Sequence, residues 1–238
     1  MKAGIIAAGQ GVRLRRGAGD PKPLVRVGGT TLIEHALDSI RAAGLRQVVC
    51  IINEESAAVE RHCRQRVTDL SLTFIHRTTP SSMESLFTLA PHLLDPLAPG
   101  AFLLLTVDAI VAPAAMRDFV GAALARRDAD GVLAINTFVD DEKPLHIECR
   151  ADGRITAIGG PAARSPFVSA GFYVFRPTIF REIEAARAAR LTALREFLAH
   201  LLARGYPLYA EPVPKCVDVD RPEDIATAEA FIRSGYRA

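Results

Sequence analysis

Short apolar segments alternate with amphipathic helical patterns along the first 136 residues of the chain. The apolar segments predict strands near Lys2 to Ala7, Gln47 to Ile52, Leu72 to His76, Ala101 to Thr106 and Gly131 to Asn136. Helices are predicted between them, at Thr31 to Ala43, Ser56 to Gln65, Met83 to His92 and Pro113 to Arg126. Regular alternation is typical of the α/β class, in which helices cover both faces of a largely parallel sheet.

The pattern becomes irregular after residue 137. An Asp152-Gly153 pair between two short segments predicts a β-hairpin. A long apolar run from Phe167 to Phe175 predicts a further strand. Other elements are expected at His146 to Arg150, Ile155 to Ile158, Thr178 to Ala189, Leu191 to Arg204, Cys216 to Val219 and Arg221 to Arg233. Because there is no internal repeat and no low-complexity linker, we expect a single domain, residues 1–238, with a mixed, mostly parallel sheet flanked by helices.

Overall composition argues against several classes of partner. The chain has 238 residues and a net charge of only +2, which favours neither nucleic acid nor a membrane surface. No basic-then-apolar signal segment opens the chain, and no apolar run approaches the roughly 20 residues that cross a bilayer. The four cysteines form no Cys-x-x-Cys pair and indicate reduced thiols. We expect a cytoplasmic protein without a membrane span, and the sequence leaves a homodimer open.

A glycine-containing loop follows the first predicted strand. Gly9 and Gly11 allow peptide N–H groups to approach an anion closely, because no Cβ stands in the way. Arg13 can hold phosphate oxygens with its planar guanidinium, and Lys22 adds a compact charge. A dinucleotide-binding loop requires glycine or alanine where Leu14 stands, and the Gly-Lys-Ser/Thr of a P-loop is absent. The residues therefore predict a polyphosphate site of another kind.

Two aspartates stand where predicted strands end. Asp108 follows the leucine-rich run that ends near Thr106, and Asp220 follows Val219. Ligands of open α/β sheets bind beyond the carboxyl ends of the strands. Magnesium that accompanies a nucleotide takes one or two protein carboxylates and completes its shell with substrate oxygens. We therefore expect Asp108 and Asp220 to bind Mg²⁺, whereas Asp224 is expected on the last helix and is a weaker candidate.

The segments Ala7 to Leu14 and Pro21 to Leu24 resemble the signature of the nucleotidyltransferases that make activated sugars and alcohols. In that signature, Ala-Ala-Gly-x-Gly-x-Arg-Leu is followed by Pro-Lys-Pro-Leu. The resemblance covers nearly the whole chain and implies a Rossmann-like, GT-A-type nucleotidyltransferase fold. It assigns nucleotide binding to residues 1–136, and acceptor binding and completion of the metal site to residues 137–238. The nucleotide-binding residues that it implies are Ala7, Ala8, Gly9, Gly11, Arg13 and Lys22.

The same resemblance extends to the metal and to the base. Asp108 and Asp220 match the metal-binding aspartates of the family, with Asp218 as the fallback for the second ligand. Val107 is a departure, because a glycine commonly precedes the first aspartate. The chain looks most like the cytidylyltransferases that activate inositol phosphate or phosphocholine. Ser82 lies where they contact the base, and it departs from the family pattern because asparagine or glycine is usual at this place. This implies that CTP is the favoured nucleotide and that UTP is the next choice.

Two residues are weaker candidates for the acceptor site. Lys143 would bring a second cation to an acceptor phosphate, although its acidic neighbours also fit a solvated loop. Gly171 would let the backbone approach the acceptor. The resulting hypothesis is Mg²⁺-dependent transfer of a nucleoside monophosphate from an NTP to a small phosphorylated alcohol or sugar, with Arg13 and Lys22 as the catalytic residues.

Two other functions remain open from the sequence. Asp218-Val219-Asp220 looks like the Asp-x-Asp of glycosyltransferases that use sugar nucleotides, but those enzymes would not explain Arg13 and Lys22. The second alternative is a non-catalytic nucleotide-binding module. The departures from the family pattern at Val107 and Ser82 are the observations that would favour it.

Overall fold

The computed structural model describes residues 1–9, 14, 21–95, 100–139 and 143–237. The strands in these residues are β1 (Ala3–Ala7), β2 (Arg26–Val27), β3 (Thr30–Thr31), β4 (Gln47–Ile52), β5 (Ser71–His76), β6 (Phe102–Thr106), β7 (Ala109–Val111), β8 (Gly131–Asn136), β9 (Ile147–Cys149), β10 (Ile155–Ile158), β11 (Val168–Phe175), β12 (Leu208–Pro212) and β13 (Cys216–Asp218). The α-helices are α1 (Leu32–Ala42), α2 (Ala57–Arg66), α3 (Ser82–Leu93), α4 (Pro113–Ala125), α5 (Ile183–Ala188), α6 (Leu194–Ala203) and α7 (Pro222–Arg233).

One sheet of seven strands runs through the described part of the chain, in the order β12-β8-β11-β6-β1-β4-β5. β11 is antiparallel to both of its neighbours, β6 and β8. The other neighbouring strands of this sheet are parallel to each other. The prediction of a mixed, mostly parallel α/β sheet is therefore confirmed.

Helices cover both faces of this sheet. On one face, α1, α2, α4 and α7 contribute to a core that includes Ile5, Leu105 and Phe172. On the other face, α3, α5 and α6 contribute to a core that includes Ile6 and Leu104. Successive side chains of a strand point to opposite faces, so the central strands must be apolar at every position. This explains why the sequence shows continuous apolar runs there.

Most of the predicted elements agree with the structure. The exceptions are the start of one predicted helix and several short strands that were not predicted. The Asp152-Gly153 hairpin is confirmed, because β9 and β10 are antiparallel and Gly153 has a φ of +85°. The single helix predicted from Thr178 to Ala189 is wrong at its start, since a 3₁₀ helix, Pro177–Glu182, comes before α5. Short 3₁₀ segments are common at the start of helices, and the Thr178 hydroxyl, which donates to Asp130, anchors this one. The short strands β2, β3, β7 and β12 have no signal in the sequence pattern.

None of the helices in the described ranges has the length and apolar composition needed to span a membrane.

The first helix begins with a reciprocal cap. The backbone N–H of Glu34 donates to Oγ1 of Thr31 at 3.4 Å, and the backbone N–H of Thr31 donates to Oε2 of Glu34 at 3.0 Å. Nε2 of His62 lies 3.3 Å from the same carboxylate. Burial alone would raise the pKa of Glu34, but the hydrogen bonds from Thr31 and the contact with His62 outweigh burial and lower the pKa to about 2. Two satisfied donors and a negative charge at its N-terminus stabilise α1.

We expect Glu34→Gln to lower stability at neutral pH by about 0.5–1 kcal/mol, since the amide keeps the shape but loses the charge. The pKa of Glu34 is lower in the folded chain than its ordinary value of 4.5. The advantage of the native residue is therefore complete above pH 4.5 and disappears as the pH falls towards 2. Urea unfolding across this pH range measures the difference. Glu184→Gln is the control, because 89% of that side chain is exposed. A difference that stays constant down to pH 2 would contradict this assignment.

Candidate active site

Aspartates from distant parts of the chain meet beyond the carboxyl end of β6. Asp108 lies in the turn between β6 and β7. β7 pairs with β13 in the antiparallel direction, with Asp218 opposite Ala109. The backbone N–H of Val219 also donates to the carbonyl of Asp108 at 3.1 Å. This pairing places Asp108 and Asp218 next to each other.

Lys22 joins Asp108 to Asp220. It is the first residue of a 3₁₀ helix, Lys22–Leu24, and Pro21 precedes it. Its Nζ lies 2.5 Å from Oδ2 of Asp108 and also donates to Oδ1 of Asp220. Only 10% of the Lys22 side chain is exposed. The ammonium is thus held in a buried ion-pair cluster with two carboxylates.

Burial and the neighbouring charges shift the pKa values of Lys22, Asp108 and Asp218. Burial alone would lower the pKa of Lys22, but Asp108 and Asp220 outweigh burial and raise it. Burial would likewise raise the pKa of Asp108, but the Lys22 charge outweighs burial and lowers it. For Asp218, burial and the neighbouring Asp108 charge both raise the pKa well above its ordinary value. Its buried Oδ1 has no hydrogen-bond partner among the described residues. The neutral form of Asp218 is therefore favoured next to the charged Asp108.

The donor set fits magnesium better than a metal with a complete protein shell. In the ranges that the structure describes, no three or more His, Cys, Asp or Glu side chains are grouped to bind a metal. Magnesium requires only one or two carboxylates when substrate oxygens complete its shell. Asp108 and Asp220 already share one cation, and the buried Oδ1 of Asp218 has no partner in the described chain. These oxygens suit a hard divalent cation.

Asp224 positions the backbone next to Asp220. Its Oδ2 accepts hydrogen bonds from the backbone N–H of Asp220 at 2.8 Å and of Arg221 at 2.7 Å. Asp224 is buried on the first turn of α7, where an acidic residue also interacts favourably with the helix dipole. The sequence prediction that it lies on the last helix is confirmed. Its link to Asp220 is not predicted by the sequence analysis, although an aspartate three residues after a helix start signals such a cap.

We expect Asp224→Ala to destabilise the chain by about 1 kcal/mol through the lost cap. It should also raise the Mg²⁺ concentration needed for half-maximal activity by roughly tenfold, because a group that orients a metal ligand is lost. A Mg²⁺ titration of activity, with thermal unfolding alongside, separates the two effects. Glu223→Ala is the matched control, since Glu223 is the exposed neighbour. An unchanged Mg²⁺ requirement would contradict the positioning role.

The start of the glycine loop lies next to Asp108. β1 and β6 are parallel neighbours, and the backbone N–H of Val107 donates to the carbonyl of Ile6 at 3.2 Å. Ala7 and Ala8 are buried, and Gly9 is exposed with open space around its Cα. Gly11 and Arg13 lie outside the described residues. The structure therefore brings together Lys22, Asp108 and Asp220 and places the start of the loop beside them.

A cavity of about 210 Å³ opens beside the cluster, and Asp108 and Asp218 form part of its wall. Its size suits a small polar ligand and not a polymer. The hydroxyl of Ser82 accepts a hydrogen bond from the backbone N–H of Leu194 at 3.2 Å, which leaves its own hydrogen able to donate. The other polar side chains of the wall are those of Thr106, Asn136, Ser169, Tyr173 and Arg195. Residues from both halves of the chain thus form one cavity.

Gly171 lines this cavity where β11 departs from regular pairing. The register between β11 and β8 shifts between Ser169 and Tyr173. Gly171 has a φ of +80°, a conformation that favours glycine. A Cβ at this position would lie 3.0 Å from Oγ1 of Thr106 and 3.4 Å from Cβ of Ala109. Glycine is therefore required for the bulge that shapes this part of the wall.

Arg195 is the cation of the described cavity wall. It lies near the start of α6, and its Nη1 donates to the carbonyl of Lys143 at 3.1 Å. Residue Lys143 is exposed, and its role at an acceptor phosphate stays a prediction. The sequence does not mark Arg195 as a site residue, because the helical pattern shows only that this position lies on the polar face of α6. Its place at the cavity depends on how α6 packs.

Known proteins share both the sequence pattern and the fold. The profile of the family described as "MobA-like NTP transferase domain" matches residues 3–205. The "Bifunctional IPC transferase and DIPP synthase" of Rubrobacter xylanophilus is 29% identical over 238 residues, which are 97% of this chain and 51% of that protein. The "Mannose-1-phosphate guanylyltransferase catalytic subunit beta" of Drosophila pseudoobscura pseudoobscura is 26% identical, over 99% of this chain and 63% of that protein. The chain thus spans about half to two thirds of the length of these relatives.

Two solved structures have the same fold. The inositol-1-phosphate CTP transferase from T. maritima superposes with a TM-score of 0.81 at 19% identity, over 100% of this chain and 98% of that one. A putative glucose-1-phosphate thymidylyltransferase from Bacillus anthracis has a TM-score of 0.83 at 17% identity, over 98% of this chain and 95% of that one.

Proposed function

Because the chain belongs to the MobA-like NTP transferase domain family, we propose that it transfers a nucleoside monophosphate from an NTP to a small phosphorylated acceptor and releases pyrophosphate. One observation carries this proposal. Lys22 lies between Asp108 and Asp220, and Asp108 forms part of the wall of a cavity that residues of both halves of the chain line. Its ammonium and these carboxylates are the groups that a reaction between phosphates requires.

The proposed reaction needs no proton transfer from the protein. An oxygen of the acceptor phosphate forms a bond to the α-phosphorus, while the bond from that phosphorus to the bridging β-phosphate oxygen breaks. Pyrophosphate leaves with the electron pair, and the attacking phosphate is already anionic at neutral pH. Catalysis then depends on positioning and on charge neutralisation.

Each charged residue has a role in this proposal. Lys22 stabilises the charge that grows at the α-phosphate, and Arg13 holds the leaving pyrophosphate. Asp108 and Asp220 would hold Mg²⁺, which supplies neutralisation of the reacting phosphates when bound. Residues 1–136 bind the nucleotide, and residues 137–238 bind the acceptor and supply Asp220. The whole chain would act as one nucleotidyltransferase domain.

CTP is the nucleotide that we favour, with UTP as the second choice. Ser82 begins α3 at the wall of the cavity, and its hydroxyl can donate to a base carbonyl. The sequence around it resembles the base-binding segment of cytidylyltransferases. The name of the T. maritima structure, which includes CTP, supports the same choice.

The cavity favours an acceptor whose organic part is a neutral polyol or sugar over one that carries an ammonium. Nζ of Lys215 lies 3.9 Å from the centre of the Phe138 ring, and Phe138 lines the cavity. The Lys215 ammonium next to this ring would repel the ammonium of an amino-alcohol acceptor. The hydroxyl of Ser169 and the amide of Asn136 offer hydrogen bonds to neutral hydroxyl groups. Arg195 is placed to meet the acceptor phosphate.

We expect Arg195→Met to raise the KM for the acceptor by about tenfold or more, since a hydrogen bond to a charged group contributes about 1.5–3 kcal/mol. The KM for the NTP should stay unchanged. Steady-state kinetics with each substrate varied in turn test this expectation. Arg204→Met, at the exposed far end of α6, is the control. A rise in the NTP KM alone would place Arg195 on the nucleotide side.

The function itself is tested by screening four NTPs against phosphorylated sugars, polyols and amino alcohols for release of pyrophosphate with Mg²⁺ present. We expect release with CTP, or with UTP, and a polyol or sugar phosphate. Sugar transfer from a sugar nucleotide, without pyrophosphate, would instead support a glycosyltransferase. Mg²⁺-dependent NTP binding without turnover against every acceptor would support a non-catalytic nucleotide-binding module.

A further inference from the structure

We propose that the Lys22 ammonium and a divalent cation are alternative partners of the same two carboxylates, so that the nucleotide-free protein excludes the metal. This inference rests on the proposed function in one respect, namely that Asp108 and Asp220 are the metal ligands. It adds an order of binding. The metal binds well only when a nucleotide phosphate provides Lys22 with another anion.

Lys22 contacts both carboxylates at the same time. Its Nζ is within hydrogen-bond distance of Asp108 and Asp220 together, and these residues come from the turn after β6 and from the segment that follows β13. The Asp108 side chain is 19% exposed and that of Asp220 35%. An ammonium held this closely by both carboxylates occupies the space in which a shared metal ion would lie.

The positive charge of Lys22 also opposes binding of a metal ion on its own. A divalent ion at the same carboxylates would stand a few ångströms from the buried Lys22 charge, where repulsion between like charges is strong. The Lys22 ammonium is a compact charge on a flexible side chain, so it can move from the carboxylates to a phosphate. The metal alone therefore has to displace Lys22 with no compensating anion, whereas a metal–NTP complex brings its own phosphates.

A divalent cation can also take over the structural role of Lys22. Asp218 lies next to Asp108 across the β7–β13 pair, and its buried Oδ1 has no partner in the described chain. Without Lys22, the Asp108 carboxylate would lose the ammonium that neutralises it in a largely buried position. A divalent cation should then replace Lys22 structurally as well as electrostatically. Loss of Lys22 and addition of metal are thus expected to offset each other.

The main test measures Mn²⁺ binding to the full chain in the absence of nucleotide. The EPR signal of free Mn²⁺ gives the fraction that is not bound. We expect Lys22→Met to bind Mn²⁺ about tenfold or more tightly than the native chain, since one unit charge nearby is enough for that factor. Mn²⁺ or Mg²⁺ should also raise the thermal midpoint of Lys22→Met much more than that of the native chain. Asp108→Asn in the Lys22→Met background should abolish the tight binding. Lys2→Met is the matched control, because Lys2 bonds to the His92 carbonyl far from the cluster.

Equal Mn²⁺ affinity of the native chain and Lys22→Met would overturn the proposal. A Lys22→Met chain that remains unfolded even with millimolar Mg²⁺ would also overturn it, because the metal then does not replace Lys22.

A second measurement needs no substitution at Lys22. The chain has four lysines, Lys2, Lys22, Lys143 and Lys215, so NMR of lysines labelled with ¹³C at Cε gives few signals to assign. We expect the Lys22 signal to stay in place with Mg²⁺ alone and to move when Mg²⁺ is added with a non-hydrolysable CTP analogue. A signal that moves fully with Mg²⁺ alone would contradict the inference.

The two proposals fail in different ways. If the native chain releases pyrophosphate but Lys22→Met shows no gain in Mn²⁺ affinity, the proposed exchange of Lys22 for a metal ion is wrong. The proposed function then stands. If the exchange is seen but no pair of substrates reacts, the function is wrong and the exchange stands.

Discussion

Lys22→Met is expected to lower the rate of pyrophosphate release by about 10²–10³-fold, the usual effect of losing a group that stabilises charge in a transition state. The Lys22 ammonium is buried and charged, and it is held by Asp108, which forms part of the cavity wall. Methionine keeps an unbranched side chain of similar length but carries no charge. The loss should therefore appear mainly in kcat, because charge at the α-phosphate grows only as the reaction proceeds.

The measurement is pyrophosphate release at saturating substrates and Mg²⁺, on protein whose folding has been verified by thermal unfolding in the same buffer. Lys2→Met, at the opposite end of β1, serves as the control and should keep native turnover. Near-native turnover of Lys22→Met would remove Lys22 from the catalytic machinery.

Asp108→Asn is expected to have an effect of comparable size, again about 10²–10³-fold on turnover. Asp108 has two proposed partners, the metal and Lys22, and both depend on its negative charge. Asparagine has nearly the same shape, so the β6–β7 turn should keep its conformation. The remaining activity should require more Mg²⁺, because one of two carboxylate ligands has become a weaker amide ligand.

A Mg²⁺ titration of Asp108→Asn distinguishes a lost ligand from a general loss of structure. Asp118→Asn on α4 is the control, since Asp118 is exposed and pairs only with Arg117 among the described residues. If Asp108→Asn kept both its turnover and its Mg²⁺ requirement, the metal site would have to lie elsewhere.

The regular half of the fold is predictable because its signal is local. Strands such as β1, β4 and β6 are apolar at nearly every position, since helices cover both faces of the sheet. β7 and β12 could not be predicted in the same way. β7 has three residues and becomes a strand through pairing with β13, and β12 is an edge strand that ends at Pro212. Their conformation depends on partners that are distant in sequence.

The same distinction applies to the site. Lys22 and Asp108 are marked in the sequence by the motifs around them. Arg195 carries no such mark, because its place at the cavity wall depends on how α6 packs, and the hydrogen bond between Asp220 and Asp224 is likewise seen only in the folded chain.

The sequence by itself determined the α/β class, the candidate phosphate loop and the charged residues on which the proposed chemistry depends, because residue type and local spacing are sufficient for each of these. Only the tertiary structure decided that Lys22 lies between Asp108 and Asp220, that the buried Oδ1 of Asp218 has no partner among the described residues, and that Arg195 faces the cavity. The physical reason is that electrostatic contacts act across a few ångströms of space, and strand order in the sheet sets those distances.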